Sequence, residues 1–273
     1  MNADALAGML DEFDQSAGRL CVLTGAGISA ESGIPTFRGP EGYWQVGSRN
    51  YHPQELATQQ AFREHPHEVW RWYLYRRTVC RRAEPNPGHL ALVRIEQALR
   101  LERFVLVTQN VDGLHARAGS RAPYEIHGNI DRYRCAARCS NRTHPLPEGL
   151  PEIDRDTPLP EDVYDALRCP DCGKAARPHV LWFDEYYEEP LFRSQSAYGA
   201  AATADLLIVV GTSGSTNLPM QIGTYCARKG TPMIDINLVD NPFGQLAEAA
   251  GGLTLRAPSA EVLPRIASML GAA

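Results

Sequence analysis

Four short apolar runs recur along the chain, and each is continuous rather than alternating with polar residues. They are RLCVLT at 19–24, FVLVTQ at 104–109, DLLIVVGT at 205–212 and PMIDINL at 232–238. Continuous β-rich runs that are separated by helix-like segments are typical of parallel strands buried on both faces. The pattern predicts an α/β fold with a doubly wound parallel sheet. Ligands of such folds bind beyond the carboxyl ends of the strands, so the polar ends TGAG, TQN and VGTS should line one crevice.

Two segments depart from this alternation of strands and helices. Residues 40–85 are rich in Tyr, Trp and Arg and have helical character, whereas residues 131–177 hold four cysteines and the Pro- and acid-rich stretch THPLPEGLPEIDRDTPLPED, which predicts a loop. We interpret both as insertions that form a smaller domain. A Rossmann-like domain then comprises 1–39, 86–130 and 178–273, with a helical insertion at 40–85 and a metal-binding module at 131–177.

One arginine of the helical insertion occupies a position where an aliphatic side chain is expected. A helix from Val69 onward carries one stripe at the spacing of a buried face: Val69, Trp72, Tyr73, Arg76, Val79 and Cys80. A buried guanidinium is costly unless an anion meets it. Arg76 therefore predicts an anionic partner. The structural alternatives are a salt bridge to a protein acid and a side chain that extends to solvent.

Charge and composition narrow the functional classes. The net charge of −5 gives no basic excess for nucleic acid and the sequence has no polybasic block for a membrane surface. No apolar run reaches about 18 residues, and the N-terminal segment is acidic and amphipathic rather than signal-like. Seven cysteines, an odd number, argue against a disulfide framework. We expect a cytoplasmic enzyme that binds neither nucleic acid nor membranes.

Two closely spaced cysteine pairs predict a zinc site. Cys135 and Cys139 form one pair, and Cys169 and Cys172 form the other, with a long loop between them. Four thiolates suit tetrahedral zinc, and each pair supplies two ligands. Because four cysteines leave no open position for water, the metal should be structural. The alternative is that these are unrelated buried cysteines. Cys21, Cys80 and Cys226 are expected to be core residues.

The loop GAGISAESGIPTFRG at 25–39 follows the first predicted strand. Its glycines allow the backbone to approach a phosphate. The loop departs from the dinucleotide-binding pattern G-x-G-x-x-G, because the third glycine is displaced to Gly33 and the acidic residue expected about 20 positions on is missing. A plain turn is therefore the alternative. Gln109, Asn110 and Asp112 follow the second strand, and His127 ends another short strand. We favour a general base at His127 over a purely structural histidine.

Taken in order, several motifs resemble those of the sirtuin family, the NAD-dependent protein lysine deacylases. They are GAGIS, SGIPTFRG, TQNVD, EIHG, the two cysteine pairs, PHVLWFDE, GTS and Asn237, and they span essentially the whole chain. The resemblance implies an NAD site made of Gly25, Ala26, Gly27, Ser29, Glu31, Phe37, Arg38, Gln109, Asn110, Asp112, Gly211, Thr212, Ser213 and Asn237. It also explains the missing acidic residue after the first strand, since Asn237 would bind the adenosine ribose instead.

The resemblance further implies the reaction. The acyl-lysine oxygen attacks the anomeric carbon of the nicotinamide ribose, nicotinamide leaves, and free lysine and O-acyl-ADP-ribose are the products. His127 would act as the base, with Asn110 and Asp112 in the catalytic centre. Val180, Leu181, Trp182 and Phe183 would pair with the substrate backbone. The stretch GTSGSTNLPM and Asp184, where the family often has glycine, depart from the usual pattern near the peptide cleft.

A finer resemblance concerns the acyl group. In this family a Tyr-x-x-Arg pair marks the class III sirtuins, which remove negatively charged acyl groups; Tyr73 and Arg76 reproduce it, and Thr36 is also found in that group. The expected activity is removal of succinyl, malonyl or glutaryl groups from protein lysines. Deacetylation, mono-ADP-ribosyl transfer to protein and non-enzymatic NAD sensing are the alternatives, and the intact EIHG histidine favours deacylation.

Overall fold

The computed structural model describes residues 3–15, 18–36, 44–46, 49–99 and 102–272. The strands are β1 (Leu20–Thr24), β2 (Trp44–Val46), β3 (Arg49–Tyr51), β4 (Phe104–Thr108), β5 (Tyr124–Glu125), β6 (Gly128–Cys135), β7 (Thr143–Pro145), β8 (Ala176–Val180), β9 (Leu206–Val210), β10 (Met233–Ile236) and β11 (Leu253–Leu255). The helices are α1 (Ala3–Gln15), α2 (Ala26–Ala30), α3 (Pro53–Leu56), α4 (Gln59–Glu64), α5 (Pro66–Arg82), α6 (Pro87–Leu99), α7 (Leu114–Ala118), α8 (Glu161–Ala166), α9 (Glu189–Phe192), α10 (Ser194–Ala202), α11 (Asn217–Lys229), α12 (Pro242–Ala249) and α13 (Ser259–Met269).

A parallel sheet with the order β11-β10-β9-β1-β4-β5 organises the main domain. Every residue of β1 and of β9 is buried, because α1, α6 and α13 pack on one face and α10, α11 and α12 on the other. This two-sided burial explains the continuous apolar runs, and it confirms the predicted doubly wound sheet. β1 lies between β4 and β9, so the next strand of the sheet, β4, is added on one side of β1 and the later strands β9, β10 and β11 on the other. Such a reversal of strand order opens a crevice at the carboxyl ends of β1, β4 and β9.

The predicted metal-binding module contains a second sheet, antiparallel, with the order β7-β6-β8. β6 runs through the predicted boundary at 130, and β8 runs through that at 177, so both strands continue from the main domain into the module. The Pro- and acid-rich stretch is largely irregular, but Leu146, Ile153 and Leu159 are buried against the same core as α5.

The segment 40–85 is only partly helical. β2 and β3 form a short antiparallel pair before α3, α4 and α5 begin. The helical expectation at 44–46 and 49–51 was therefore wrong, because aromatic residues favour strands as readily as buried helices. α5 confirms the predicted helix, but Val79 of the predicted stripe is only half-buried, and Trp70, Leu74 and Arg77 are buried beside the predicted face. Among the described residues, no helix is long and apolar enough to cross a membrane.

Candidate active site

The glycine loop packs directly on the end of β9. Gly25 N–H donates to the Val210 carbonyl at 2.9 Å, and Gly27 N–H donates to the Gly211 carbonyl at 2.8 Å. A Cβ on Gly27 would lie 2.5 Å from Gly211 Cα, and Gly211 itself has φ +60°. Only glycine permits this backbone contact. The first and third predicted strand ends therefore meet, as the sequence predicts for one crevice.

The polar residues after β4 are tied to this loop. Asn110 Nδ2 donates to the Gly25 carbonyl and to Ser29 Oγ, both at 3.0 Å. Asp112 Oδ1 accepts from Leu114 N–H at 2.9 Å. Burial raises the pKa of Asp112, and hydrogen bonds from Leu114 and the Ser29 side chain oppose that shift. The structure thus brings Ser29, Asn110 and Asp112 into one buried cluster at the crevice.

Gln109 connects the second and third strand ends. Its Nε2 donates to Thr212 Oγ1 at 2.9 Å, and its Oε1 accepts from Thr216 Oγ1 at 2.8 Å. Asn237, which follows β10, donates from Nδ2 to the Thr212 carbonyl at 2.9 Å. Ser213 Oγ is hydrogen-bonded to Ser215 Oγ at 3.0 Å. Thr216, in the stretch after GTS, therefore holds the Gln109 side chain by this hydrogen bond. Sequence reasoning did not foresee this contact.

Three of the predicted cofactor-binding residues, Glu31, Phe37 and Arg38, are not seen at the crevice. Both carboxylate oxygens of Glu31 accept hydrogen bonds at the start of α13, from the Ser259 N–H at 2.8 Å, the Ser259 hydroxyl and the Ala260 N–H. Glu31 thus caps α13 in this structure. Phe37 and Arg38 lie outside the described residues.

His127 lies between β5 and β6 and is held by both ring nitrogens. Nδ1 is 3.0 Å from the Gln109 carbonyl, and Nε2 is 2.7 Å from Tyr187 Oη. Burial lowers the pKa of His127 to about 4, although the Gln109 carbonyl acts in the opposite direction. The imidazole is therefore neutral at physiological pH. Tyr187 was missed by sequence reasoning, because a contact across 60 residues leaves no local signal.

The Tyr73 and Arg76 side chains lie buried on α5, 4% and 8% exposed. Trp182 Nε1 donates to Tyr73 Oη at 2.9 Å, and the Arg76 guanidinium lies 5.6 Å from the centroid of the Trp72 ring. Burial raises the pKa of Tyr73, so its phenol stays protonated. The helix thus carries a buried phenol and a buried guanidinium about one turn apart.

The predicted peptide-pairing segment joins His127 to the helical insertion. After Val180, Leu181 N–H donates to the His127 carbonyl at 2.9 Å, and Phe183 N–H donates to the Ala57 carbonyl at 2.9 Å. Phe183 is 53% exposed, whereas Trp182 is buried. The segment is therefore fixed at both ends.

Asp184, which stands where the family often has glycine, has a clear structural role. Its two carboxylate oxygens accept from the backbone N–H groups of Gln59 at 2.7 Å and Gln60 at 3.2 Å, in the first turn of α4. A carboxylate at this place satisfies amides that have no partner within the helix and complements the helix dipole. Asp184 thus fastens the predicted peptide-pairing segment, Val180–Phe183, to α4.

A buried ionic group lies beneath Trp182. Arg177 stacks on the indole at 3.2 Å from the ring centroid and bonds Glu185 through two nitrogens, at 2.5 and 3.0 Å. Glu185 also accepts from Arg134 at 3.4 Å and from the Trp182 N–H at 3.1 Å. Since each charge has a partner, the group holds Trp182, and through it Tyr73, in one orientation.

The four module cysteines converge, with their Sγ atoms within 4.8 Å of one another. Cys135 and Cys172 are 3.6 Å apart, as are Cys139 and Cys169. A tetrahedral zinc with Zn–S bonds of about 2.3 Å separates its sulfurs by about 3.8 Å, so the donor set and its dimensions fit a structural zinc ion. The cluster lies at the end of β6 that is opposite to His127.

Comparison with known proteins agrees with this architecture. The Sir2 family model matches residues 25–217. The NAD-dependent protein deacylase of Leptospira interrogans is 40% identical over 248 residues, 91% of each chain, and that of Thermus thermophilus is 43% identical over 249 residues, 90% of this chain and 88% of the relative.

Solved structures give the same result. A Sir2 homologue in complex with NAD has a TM-score of 0.78 at 33% identity, covering 99% of this chain and 94% of that one. A mutant of Sir2 homologues in complex with 2′-O-acetyl ADP ribose has a TM-score of 0.77 at 34% identity, covering 96% of both chains. The family match across most of the chain, the deacylase relatives and the shared fold together show that this protein belongs to the Sir2 family, the sirtuins.

Proposed function

We propose that the protein is an NAD-dependent protein lysine deacylase that prefers acidic acyl groups: succinyl, malonyl and glutaryl. The deacylase relatives support the reaction class, and the buried pair Tyr73 and Arg76 supports the acyl preference. Deacetylation is a weaker side activity in this proposal. We also infer a cytoplasmic location, supported by seven cysteines of which none forms a disulfide.

NAD supplies the anomeric carbon that the acyl oxygen attacks as nicotinamide departs. We assign contacts with NAD to the residues of the crevice: Gly25, Ala26, Gly27, Ser29, Gln109, Asn110, Asp112, Gly211, Thr212, Ser213 and Asn237. Glu31, Phe37 and Arg38 complete the assignment from the resemblance. His127 is neutral and acts as base toward the ribose hydroxyls. This role needs an unprotonated nitrogen, which its lowered pKa maintains.

The single observation that carries the acyl preference is the burial of Arg76 beside Tyr73. Burial raises the pKa values of Tyr73 and Asp112, and the positive charge of Arg76 opposes both shifts. The Arg76 guanidinium is therefore close enough to interact electrostatically with the Asp112 carboxylate and with the Tyr73 phenol. A distal carboxylate on the acyl group would meet two guanidinium donors and the phenol proton, whereas an acetyl group offers no such charge.

The path from base to guanidinium supports the same assignment. The His127 carbonyl accepts a hydrogen bond from Leu181 N–H, and the next residue, Trp182, donates one to the Tyr73 hydroxyl. Tyr73 in turn lies one helical turn from Arg76. We propose that Val180, Leu181, Trp182 and Phe183 bind the substrate backbone and that the helical insertion lines the acyl tunnel. An acyl-lysine held by this segment would direct its acyl end toward α5.

The test replaces Arg76 with methionine. Loss of a charge-assisted pair typically costs about 2–5 kcal/mol, so Arg76→Met should lower kcat/KM for a succinyl-lysine peptide by at least about 30-fold. Activity on the matching acetyl peptide should stay within a few-fold or improve. Nicotinamide release and product mass report both reactions.

Arg81→Met is the matched control, because Arg81 lies on the same helix with 56% of its side chain exposed. It should change neither activity. Equal losses on the succinyl and acetyl peptides in Arg76→Met would show that Arg76 supports the fold only, and the acidic-acyl proposal would be abandoned.

A further inference from the structure

The contact between His127 and Tyr187 goes beyond the family motifs. Tyr187 Oη lies 2.7 Å from Nε2 of His127, and the two ring centroids are 5.8 Å apart. Tyr187 packs partly buried against the core beneath α11, whereas the adjacent Tyr186 is 87% exposed. Two neighbouring tyrosines thus differ completely in environment, and only one of them contacts the base.

The direction of each hydrogen bond follows from the chemistry of the groups. The Gln109 carbonyl can only accept, so Nδ1 of His127 carries the proton. In a neutral imidazole Nε2 is then an acceptor, and the Tyr187 hydroxyl donates to it.

Nε2 of a neutral imidazole has one lone pair in the ring plane, and the Tyr187 hydroxyl occupies it. A base that removes a proton from a ribose hydroxyl must offer the same lone pair. Both hydroxyls therefore compete for one position on His127. Among the described residues, Tyr187 is the titratable side chain in contact with this ring, and the Gln109 carbonyl is its other polar partner.

We propose that the Tyr187 hydroxyl occupies the base nitrogen of His127 in the resting enzyme and yields it to a ribose hydroxyl of NAD during the reaction. When the exchange occurs, the ribose O–H bond breaks, an Nε2–H bond forms, and the phenol keeps its own proton. Gln109 keeps its bond to Nδ1–H throughout, so the tautomer and the plane of the ring are preserved. This inference rests on the proposed function, because it assigns His127 to the ribose.

The test compares Tyr187→Phe with Tyr186→Phe, the same substitution on the exposed neighbour. Phenylalanine keeps the packing of the ring but removes the donor that stabilises neutral His127. One neutral hydrogen bond is worth about 0.5–1.5 kcal/mol, so the pKa of His127, followed by NMR titration, should rise by about 0.4–1 unit. At pH 8, kcat/KM for NAD should rise about 2- to 10-fold, and Tyr186→Phe should change neither quantity.

Several outcomes would overturn the proposal. An unchanged His127 pKa in folded Tyr187→Phe would show that the contact does not hold the base. A fall in kcat/KM for NAD would show that the phenol assists the reaction rather than yielding.

If Tyr187→Phe fails to fold, 3-fluorotyrosine at position 187, a stronger donor, should lower the His127 pKa instead. Inactivity of the unmodified enzyme on every acyl peptide would defeat the proposed function, whereas the NMR titration would still decide the contact.

Discussion

At the scale of single residues, His127 determines how the proposed activity depends on pH. Burial lowers its pKa to about 4, well below the ordinary value of 6.5. A base is active only when unprotonated, so activity is lost as the pH falls through the pKa of the folded enzyme. We expect kcat/KM to stay level from pH 8 down to about pH 5 and to decline below that. Initial rates across this range, on enzyme that circular dichroism shows to be folded, measure the profile.

The control for this profile is His127→Ala. It should lower deacylation by about 10²–10⁴-fold at every pH and show no such decline near pH 4. A decline of the unmodified enzyme centred between pH 6 and 7 would contradict a buried, neutral imidazole.

The sequence predicted which residue types meet at the crevice, but not all of their partners. Gln109 and Asn110 end an apolar run and His127 ends a short predicted strand, and the geometry of parallel sheets brings such ends together. Tyr187 and Asp184 had no comparable signal. Their partners lie 60 and 125 residues away, respectively, and tertiary packing alone brings these groups together.

At the scale of elements, Asp184 should stabilise α4. Both of its oxygens bond first-turn amides of this short helix, and loss of such a cap costs about 0.5–2 kcal/mol. Asp184→Ala should lower the free energy of unfolding by about that amount, measured by urea denaturation. It should also raise the KM for peptide, because Phe183 next to it is bonded to Ala57.

Asp156→Ala is a suitable control, since Asp156 is an exposed carboxylate in the irregular segment before α8. An Asp184→Ala variant as stable as this control, with an unchanged KM for peptide, would mean that the cap is not needed.

Length and apolar composition together decided which strands of the parallel sheet stood out as continuous runs. β1, β4, β9 and β10 have four or five residues each and stand out as apolar runs. β11 has three residues, of which only Leu255 is fully buried, so no continuous apolar run marks it. The pair β2 and β3 was hidden for another reason: its aromatic and basic residues favour strand and helix about equally.

At the scale of the whole molecule, zinc should stabilise more than its own module. β6 carries Cys135 at one end and begins directly after His127, while β8 starts beyond Cys172 and ends at Val180, the first residue of the predicted peptide-pairing segment. Removing the metal by chelation should unfold the β7-β6-β8 sheet first and lower activity as a secondary effect. Hydrogen exchange should show lost protection in 128–180 before any change in β1 or β9.

Elemental analysis should find about one zinc ion per chain in the unmodified protein and in Cys226→Ala, which removes a buried cysteine outside the cluster. Cys139→Ser should lose the metal. Absence of zinc from protein purified under reducing conditions, or protection that is lost uniformly over both sheets on chelation, would refute this arrangement.

Both edges of the parallel sheet are short, since β5 has two residues and β11 has three. Long unpaired edge strands act as templates on which chains add to one another and aggregate. An edge of two or three residues exposes few N–H and C=O groups for such pairing. The proposed recruitment of extended peptide is confined to Val180–Phe183, outside this sheet, so the enzyme can bind strands as substrates while its largest sheet offers little surface for self-association.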